Sequence, residues 1–257
     1  MKTDMKKLTY SILFLSMLFL CYSCEVDNYD EPSEILMGEI LDIKTKQNIQ
    51  TEAGDGGIRI KLLEYSWSDN PTPYYFYSKQ DGSYNNTKIF KGNYNIVVEG
   101  AFVPLIQYDS NGNKTIDNSQ TMDINGVTQV NFEVEPFLRI EWLDEPILNK
   151  DGSATVTVRI TRGTDNADYQ KSIKDVFLFV NSNPYAGFNN YDMRYSKNIK
   201  FSGNSGNDIL GEKFEITTTG ELPKNRTLYL RVGARIDQTI AGKMRYNYNE
   251  VKAIVIP

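Results

Sequence analysis

From Ile35 onward, apolar and polar residues alternate with a period of two. Ile58, Ile60 and Leu62 are interleaved with Arg59, Lys61 and Leu63, and Tyr94, Ile96 and Val98 with Asn95, Val97 and Glu99. Val130, Phe132 and Val134 stand against Gln129, Asn131, Glu133 and Glu135. A strand presents successive side chains to opposite faces, so each window predicts a half-buried strand. Clusters such as Gly54-Asp55-Gly56-Gly57, Asp81-Gly82, Lys91-Gly92-Asn93 and Asn111-Gly112-Asn113 separate the runs, as turns require. No window carries helical spacing. Past Pro136 the alternation resumes in Leu138, Ile140 and Trp142, in Ala154 to Ile160, in Val176 to Val180, in Leu228 to Ala234 and in Val251 to Ile256. The pattern predicts an all-β chain of two β-sandwich domains in series, residues 35–135 and 136–257.

The N-terminus has a different pattern. Lys6 and Lys7 precede an apolar run from Leu8 to Cys21 that ends at Tyr22-Ser23-Cys24. At roughly 14 residues the run is shorter than the roughly 20 a spanning helix needs, and acids follow it, so residues 1–23 are expected to be a cleaved signal peptide. A signal ending directly at a cysteine resembles bacterial lipoprotein signals, which implies Cys24 as the lipid-attachment site. Ser23 suits the small position before the cut, whereas Cys21 stands where that family prefers Leu. Each buried acyl methylene contributes roughly 0.8 kcal/mol, so several chains together hold a protein on a bilayer. Residues 24–34 read as an acidic tether. Acids behind the lipidated cysteine also resemble the surface-export signal of Bacteroidetes lipoproteins, which implies an outer-membrane, surface-facing location. A linker that merely stays solvated is the other reading.

Composition narrows the chemistry. Without Lys2, Lys6, Lys7 and Asp4 the mature chain carries a net charge of about −7, and no stripe of Lys and Arg suits a phosphate backbone, which excludes nucleic acid as the expected partner. There is no histidine in the sequence, and after processing Cys24 is the one thiol. Ser-His-Asp and Cys-His nucleophiles and His- or Cys-ligated metals are therefore excluded, and no cofactor is expected. Carboxylate or tyrosine chemistry survives, as does binding without chemistry.

The order of short motifs carries a resemblance. Gly38-Glu39-Ile40-Leu41-Asp42, Ile58-Arg59-Ile60, Gln80-Asp81-Gly82-Ser83-Tyr84 and Gly92-Asn93-Tyr94-Asn95-Ile96-Val97 are similar to the carboxypeptidase regulatory-like, transthyretin-type sandwich. The chain departs from that pattern in an insertion from Glu64 to Tyr77 and another after Pro104. The second domain has the strand number and length of an immunoglobulin-like sandwich without its Cys and Trp markers. Taken together, the signal, the first domain with its Ser66-Trp67-Ser68-Asp69-Asn70-Pro71-Thr72-Pro73 insertion and the β second domain resemble an uncharacterised two-domain Bacteroidetes lipoprotein family, often associated with polysaccharide-utilisation systems. The resemblance implies a non-enzymatic accessory or glycan-binding protein, with polysaccharide and outer-membrane import proteins as partners.

Aromatic side chains among Ser, Asp and Asn suit sugars, whose CH faces stack on rings while hydroxyls take hydrogen bonds. On that ground Trp67 and Tyr74 in the insertion, and Tyr185, Phe188 and Tyr191 after the Val176 to Val180 strand, are candidate ligand contacts. The alternative is structural: Tyr75 and Tyr77 share a strand face in the core, Trp67 closes the sandwich end, and the 181–195 loop packs its own rings. Asp109, Asn111, Asn113 and Asp117 occupy positions 1, 3, 5 and 9 of a calcium loop, but Gly112 and Gln120 break its pattern, and a polar hairpin turn is expected. Two further readings stay open: a structural or assembly lipoprotein that binds only protein partners, and a glycosidase using two carboxylates.

Overall fold

The structure, a computed structural model, describes residues 31–257. Cys24, the signal peptide and most of the acidic tether lie outside the described residues. The first sandwich contains β1 (Glu34–Asp42), β2 (Arg59–Glu64), β3 (Tyr74–Tyr77), β4 (Ser83–Ile89), β5 (Gly92–Glu99), the hairpin β6 (Ile106–Tyr108) and β7 (Lys114–Asp117), β8 (Gln120–Ile124), β9 (Val127–Gln129) and β10 (Phe132–Val134). One sheet places β1 between β4 and the parallel pair β9 and β10; the other runs β3-β2-β5-β8. The alternation read from the sequence sends Ile60, Leu62, Ile96, Val98, Phe132 and Val134 into one core. Val97, on the opposite face of β5, is also buried and belongs to that same apolar cluster with Leu105 and the partly buried Ile106 of the insertion after Pro104.

One glycine and one tyrosine lock the first sheet. A Cβ on Gly38 would lie 1.7 Å from the Val130 carbonyl oxygen, so only glycine lets β1 approach the chain between β9 and β10. That carbonyl accepts a 2.6 Å hydrogen bond from the buried Tyr84 hydroxyl of β4.

The second sandwich contains β11 (Leu138–Trp142), β12 (Ile147–Leu148), β13 (Ala154–Arg162), β14 (Ile173–Asn181), β15 (Lys197–Lys200), β16 (Lys213–Thr217), β17 (Arg226–Ile236), β18 (Asn247–Tyr248) and β19 (Lys252–Ile256). In one sheet β13 pairs with β11, β12 and β16; in the other β14 pairs with β15 and β17, and β17 with β18 and β19. Val156, Val158, Val176, Leu178, Leu230 and Val232 fill a second core between them. Phe177 and Phe179 point to the opposite face of β14, where Ala186, Tyr246 and Tyr248 bury them in a smaller aromatic cluster. Among the described residues no helix is long and apolar enough to cross a membrane.

Candidate ligand-binding cleft

Residues that the sequence scatters meet where the two sandwiches join. Asp42, at the end of β1, accepts bonds from Arg139 Nε at 2.5 Å and Nη2 at 2.8 Å, a two-pronged ion pair across the junction. Burial pushes the Asp42 carboxyl upward, but the Arg139 fork and the amides of Lys44 and Thr45 outweigh it and hold the group below its usual range. Asn247 acts as a second rivet: its Oδ1 accepts from the Leu138 amide and its Nδ2 donates to the Ala101 carbonyl at 2.8 Å.

A third contact is buried more deeply. Glu52, from the connection between β1 and β2, accepts bonds from the Asn189 amide and, at 3.0 Å, from the Tyr248 hydroxyl. Arg231 of β17 is 0% exposed, stacks 4.4 Å above the Tyr248 ring, and donates through Nε to the Asn249 carbonyl. Burial raises the Glu52 carboxyl, with the Asn189 amide, the Tyr248 hydroxyl and the Arg231 charge opposing it in part. Burial likewise pulls Arg231 down to about 10. Arg245 completes the set by donating to the Gly57 carbonyl at 3.0 Å.

Beside these rivets lies a cleft of about 680 Å³. The first sandwich supplies Gln47, Asn48, Gln50 and Asp81, and the second supplies Glu141, Trp142, Asn249 and Glu250, with the Asp42–Arg139 pair also in its wall. Trp142 is held by its indole N–H, which donates to the Glu250 carbonyl at 2.8 Å. Asn249 is 4% exposed; its Oδ1 accepts from the Val232 amide, which fixes the carboxamide's orientation and leaves Nδ2 without a partner. Ligand sites favour such domain junctions, where a few fixed polar groups converge on partly apolar walls.

The residues predicted from sequence do not meet in this cleft. Trp67 is 76% exposed and Tyr74 50%, in the first sandwich. The segment expected as a loop ends in the edge strand β3, paired to β2 with Tyr74 opposite Leu62 and Phe76 opposite Ile60. The core-facing ring is therefore Phe76, and the structural alternative for Tyr75 and Tyr77 is corrected: Tyr75 lies under the Arg59 guanidinium at 4.2 Å and Tyr77 donates to Asp55. Tyr74 lines a separate pocket of about 220 Å³ with Leu62, Phe90 and Tyr94.

In the second sandwich Tyr185 is 61% exposed and Phe188 43%. Tyr191 is half-buried and packs edge-on against Phe177 at 4.9 Å and Phe179 at 5.7 Å, which assigns its ring to packing. Tyr246 and Tyr248 are buried in the same cluster. The 181–195 loop thus lies over an outer sheet face at the junction, where Glu52 and Gln80 bond to it. Asp109 and Asn113 form the predicted hairpin turn: the Asp109 carboxylate accepts from the Asn111 and Asn113 amides, and Asp117 is engaged by Lys114 and Ser119. Among the described residues no group of three or more His, Cys, Asp or Glu is placed to hold a metal.

Sequence comparison matches residues 34–135 to "Protein of unknown function (DUF3823) N-terminal domain". The crystal structure of a DUF3823 family protein from Bacteroides uniformis is 34% identical, covers 88% of this chain and 100% of its own, and superposes with a TM-score of 0.82. The chain belongs to the DUF3823 family. A DUF3823 protein from Parabacteroides merdae shares the fold at 21% identity and a TM-score of 0.62, covering 88% of this chain and 100% of its own. So does a Bacteroides uniformis protein described as a "putative carbohydrate binding protein", at 21% identity, a TM-score of 0.67 and the same coverage. No curated protein matches the chain. The DUF3823 match ends at Glu135, one residue before the first cleft residue contributed by the second sandwich, so the cleft is built partly outside the matched segment.

Proposed function

We propose that this DUF3823 protein is a non-enzymatic glycan-binding module, anchored by lipid on Cys24 at the outer membrane and working beside a carbohydrate-import complex. The junction cleft carries this reading. Its amides and carboxylates offer paired acceptors and donors to sugar hydroxyls, and Trp142 offers a ring held by its own hydrogen bond. The relative described as a "putative carbohydrate binding protein" supports the same class. Binding is favoured over hydrolysis because Asp42 and Asp81 are already committed, to Arg139 and to the Ser83 hydroxyl and amide, and the remaining pair, Glu141 and Glu250, lies exposed, outside the buried setting that a glycosidase's general acid needs. The apolar run before Cys24 supports the anchor.

Affinity electrophoresis of the full chain on a polysaccharide panel tests the reading. Retardation that Trp142→Ala removes, while the variant still melts cooperatively and is folded at the assay temperature, is the expected result. No retardation on any glycan would replace it with an assembly role based on protein partners. Palmitate labelling that persists in Cys24→Ala would sink the anchor.

A further inference from the structure

Charge around the cleft points to a ligand class. Asp42, Asp81, Glu141 and Glu250 line it against the single cation Arg139. Arg139 is neutralised by Asp42, and Lys252, 5.3 Å from the Trp142 ring, is paired with Glu145 at 2.5 Å. Asp81, Glu141 and Glu250 are left on exposed positions around the opening, with no uncommitted cation among the lining residues.

We propose that the cleft selects uncharged glycans and rejects those bearing uronate or sulfate, with Asp81, Glu141 and Glu250 as the repelling groups. This rests on the reading of the cleft as a glycan site. A carboxylate or sulfate on the ligand would enter beside three like charges with no guanidinium or ammonium free among the lining residues, Lys79 acting on Asp81 from outside the lining, and like-charge contacts act against the wrong ligand more than for the right one. At low salt the repulsion reaches across the opening; at physiological ionic strength it is screened beyond about 8 Å.

The test measures binding of the full chain to neutral polysaccharides (starch, β-glucan, galactomannan) and to acidic ones (polygalacturonate, hyaluronan, chondroitin sulfate) at low and high salt. The expected result is retardation by at least one neutral polymer, weaker binding of every acidic polymer by roughly tenfold or more at low salt, and a narrower gap at high salt. In a variant carrying Asp81→Asn, Glu141→Gln and Glu250→Gln, the affinity for acidic polymers should rise relative to that for neutral ones, and the low-salt gap between the two classes should close. Acidic polymers bound as tightly as neutral ones in the unmodified chain, with both lost in Trp142→Ala, would overturn the charge selection while leaving the cleft as a glycan site. No binding of either class would overturn both.

Discussion

Glu52 shows how a single side chain can set the pH response of a domain junction. Its carboxyl is buried between the sandwiches and raised above its ordinary value, chiefly by loss of water. A raised carboxyl binds its proton more tightly in the folded than in the unfolded chain. Its contribution therefore favours the folded state at low pH and is lost as pH rises from about 4.5 through the folded value. Asp42 works the other way: its carboxyl is held low, so the stability it contributes is present above about 3.8 and lost as pH falls through the folded value. Glu52→Gln removes the first titration and leaves the second. The melting temperature of the variant relative to the parent should thus climb from pH 4.5 toward neutrality. A difference that stays constant across that range in thermal melts would mean that Glu52 does not titrate as its burial dictates.

At the level of the strands, β1 is the element most exposed to a one-atom change. It pairs antiparallel with β4 and parallel with both β9 and β10, and all three contacts depend on the approach at Gly38. Gly38→Ala drives a methyl group into the Val130 carbonyl and crowds the Tyr84 hydroxyl that bonds to it. Because the obstacle is backbone, the strands themselves must shift, and the cost should fall near the upper end of overpacking, about 3 kcal/mol. Urea unfolding of Gly38→Ala checks this; a loss under about 0.5 kcal/mol, the range of an ordinary surface substitution, would contradict the tight approach.

At the scale of the whole molecule, the second core takes in Ala101 and Val103 from the first sandwich, and the two sandwiches share buried polar contacts: Asp42 with Arg139, Glu52 with Tyr248, Arg245 with the Gly57 carbonyl, and Asn247 with Leu138 and Ala101. Polar groups buried this way cost stability if one partner is removed, since the other is left desolvated and unpaired. Calorimetry of the parent should show one cooperative transition. Asp42→Asn strands the partly buried Arg139 and should cost about 3 kcal/mol; combined with Asn247→Ala, it should split the transition in two. A single unbroken transition in the double variant would mean that the contacts left intact, Glu52 with Tyr248 and Arg245 with the Gly57 carbonyl among them, couple the sandwiches without these two.

The sequence by itself determined the class of fold, since a period of two along Ile58 to Leu62, Val130 to Val134 or Ala154 to Ile160 fits a strand with one buried face and no helix. It also determined, through the absence of histidine, that no His-based nucleophile and no His-ligated metal can be built from this chain. The glycine of Gly38-Glu39-Ile40-Leu41-Asp42 was visible as part of a motif, but its reason, the Val130 carbonyl between β9 and β10, about ninety residues away, was not. The exposed rings of Trp67, Tyr74, Tyr185 and Phe188 were legible as aromatic residues among polar ones. The inward turn of Tyr191 was not, because Phe177 and Phe179 become its floor only when β14 sits beneath the loop. The cleft was decided by tertiary structure alone. Trp142 reads as one more alternating strand residue, and Gln47, Asn48 and Asn249 as ordinary loop amides. They become one surface only because Asp42 meets Arg139 and Asn247 meets Ala101, contacts that span 97 and 146 residues of chain and leave no periodic trace in it.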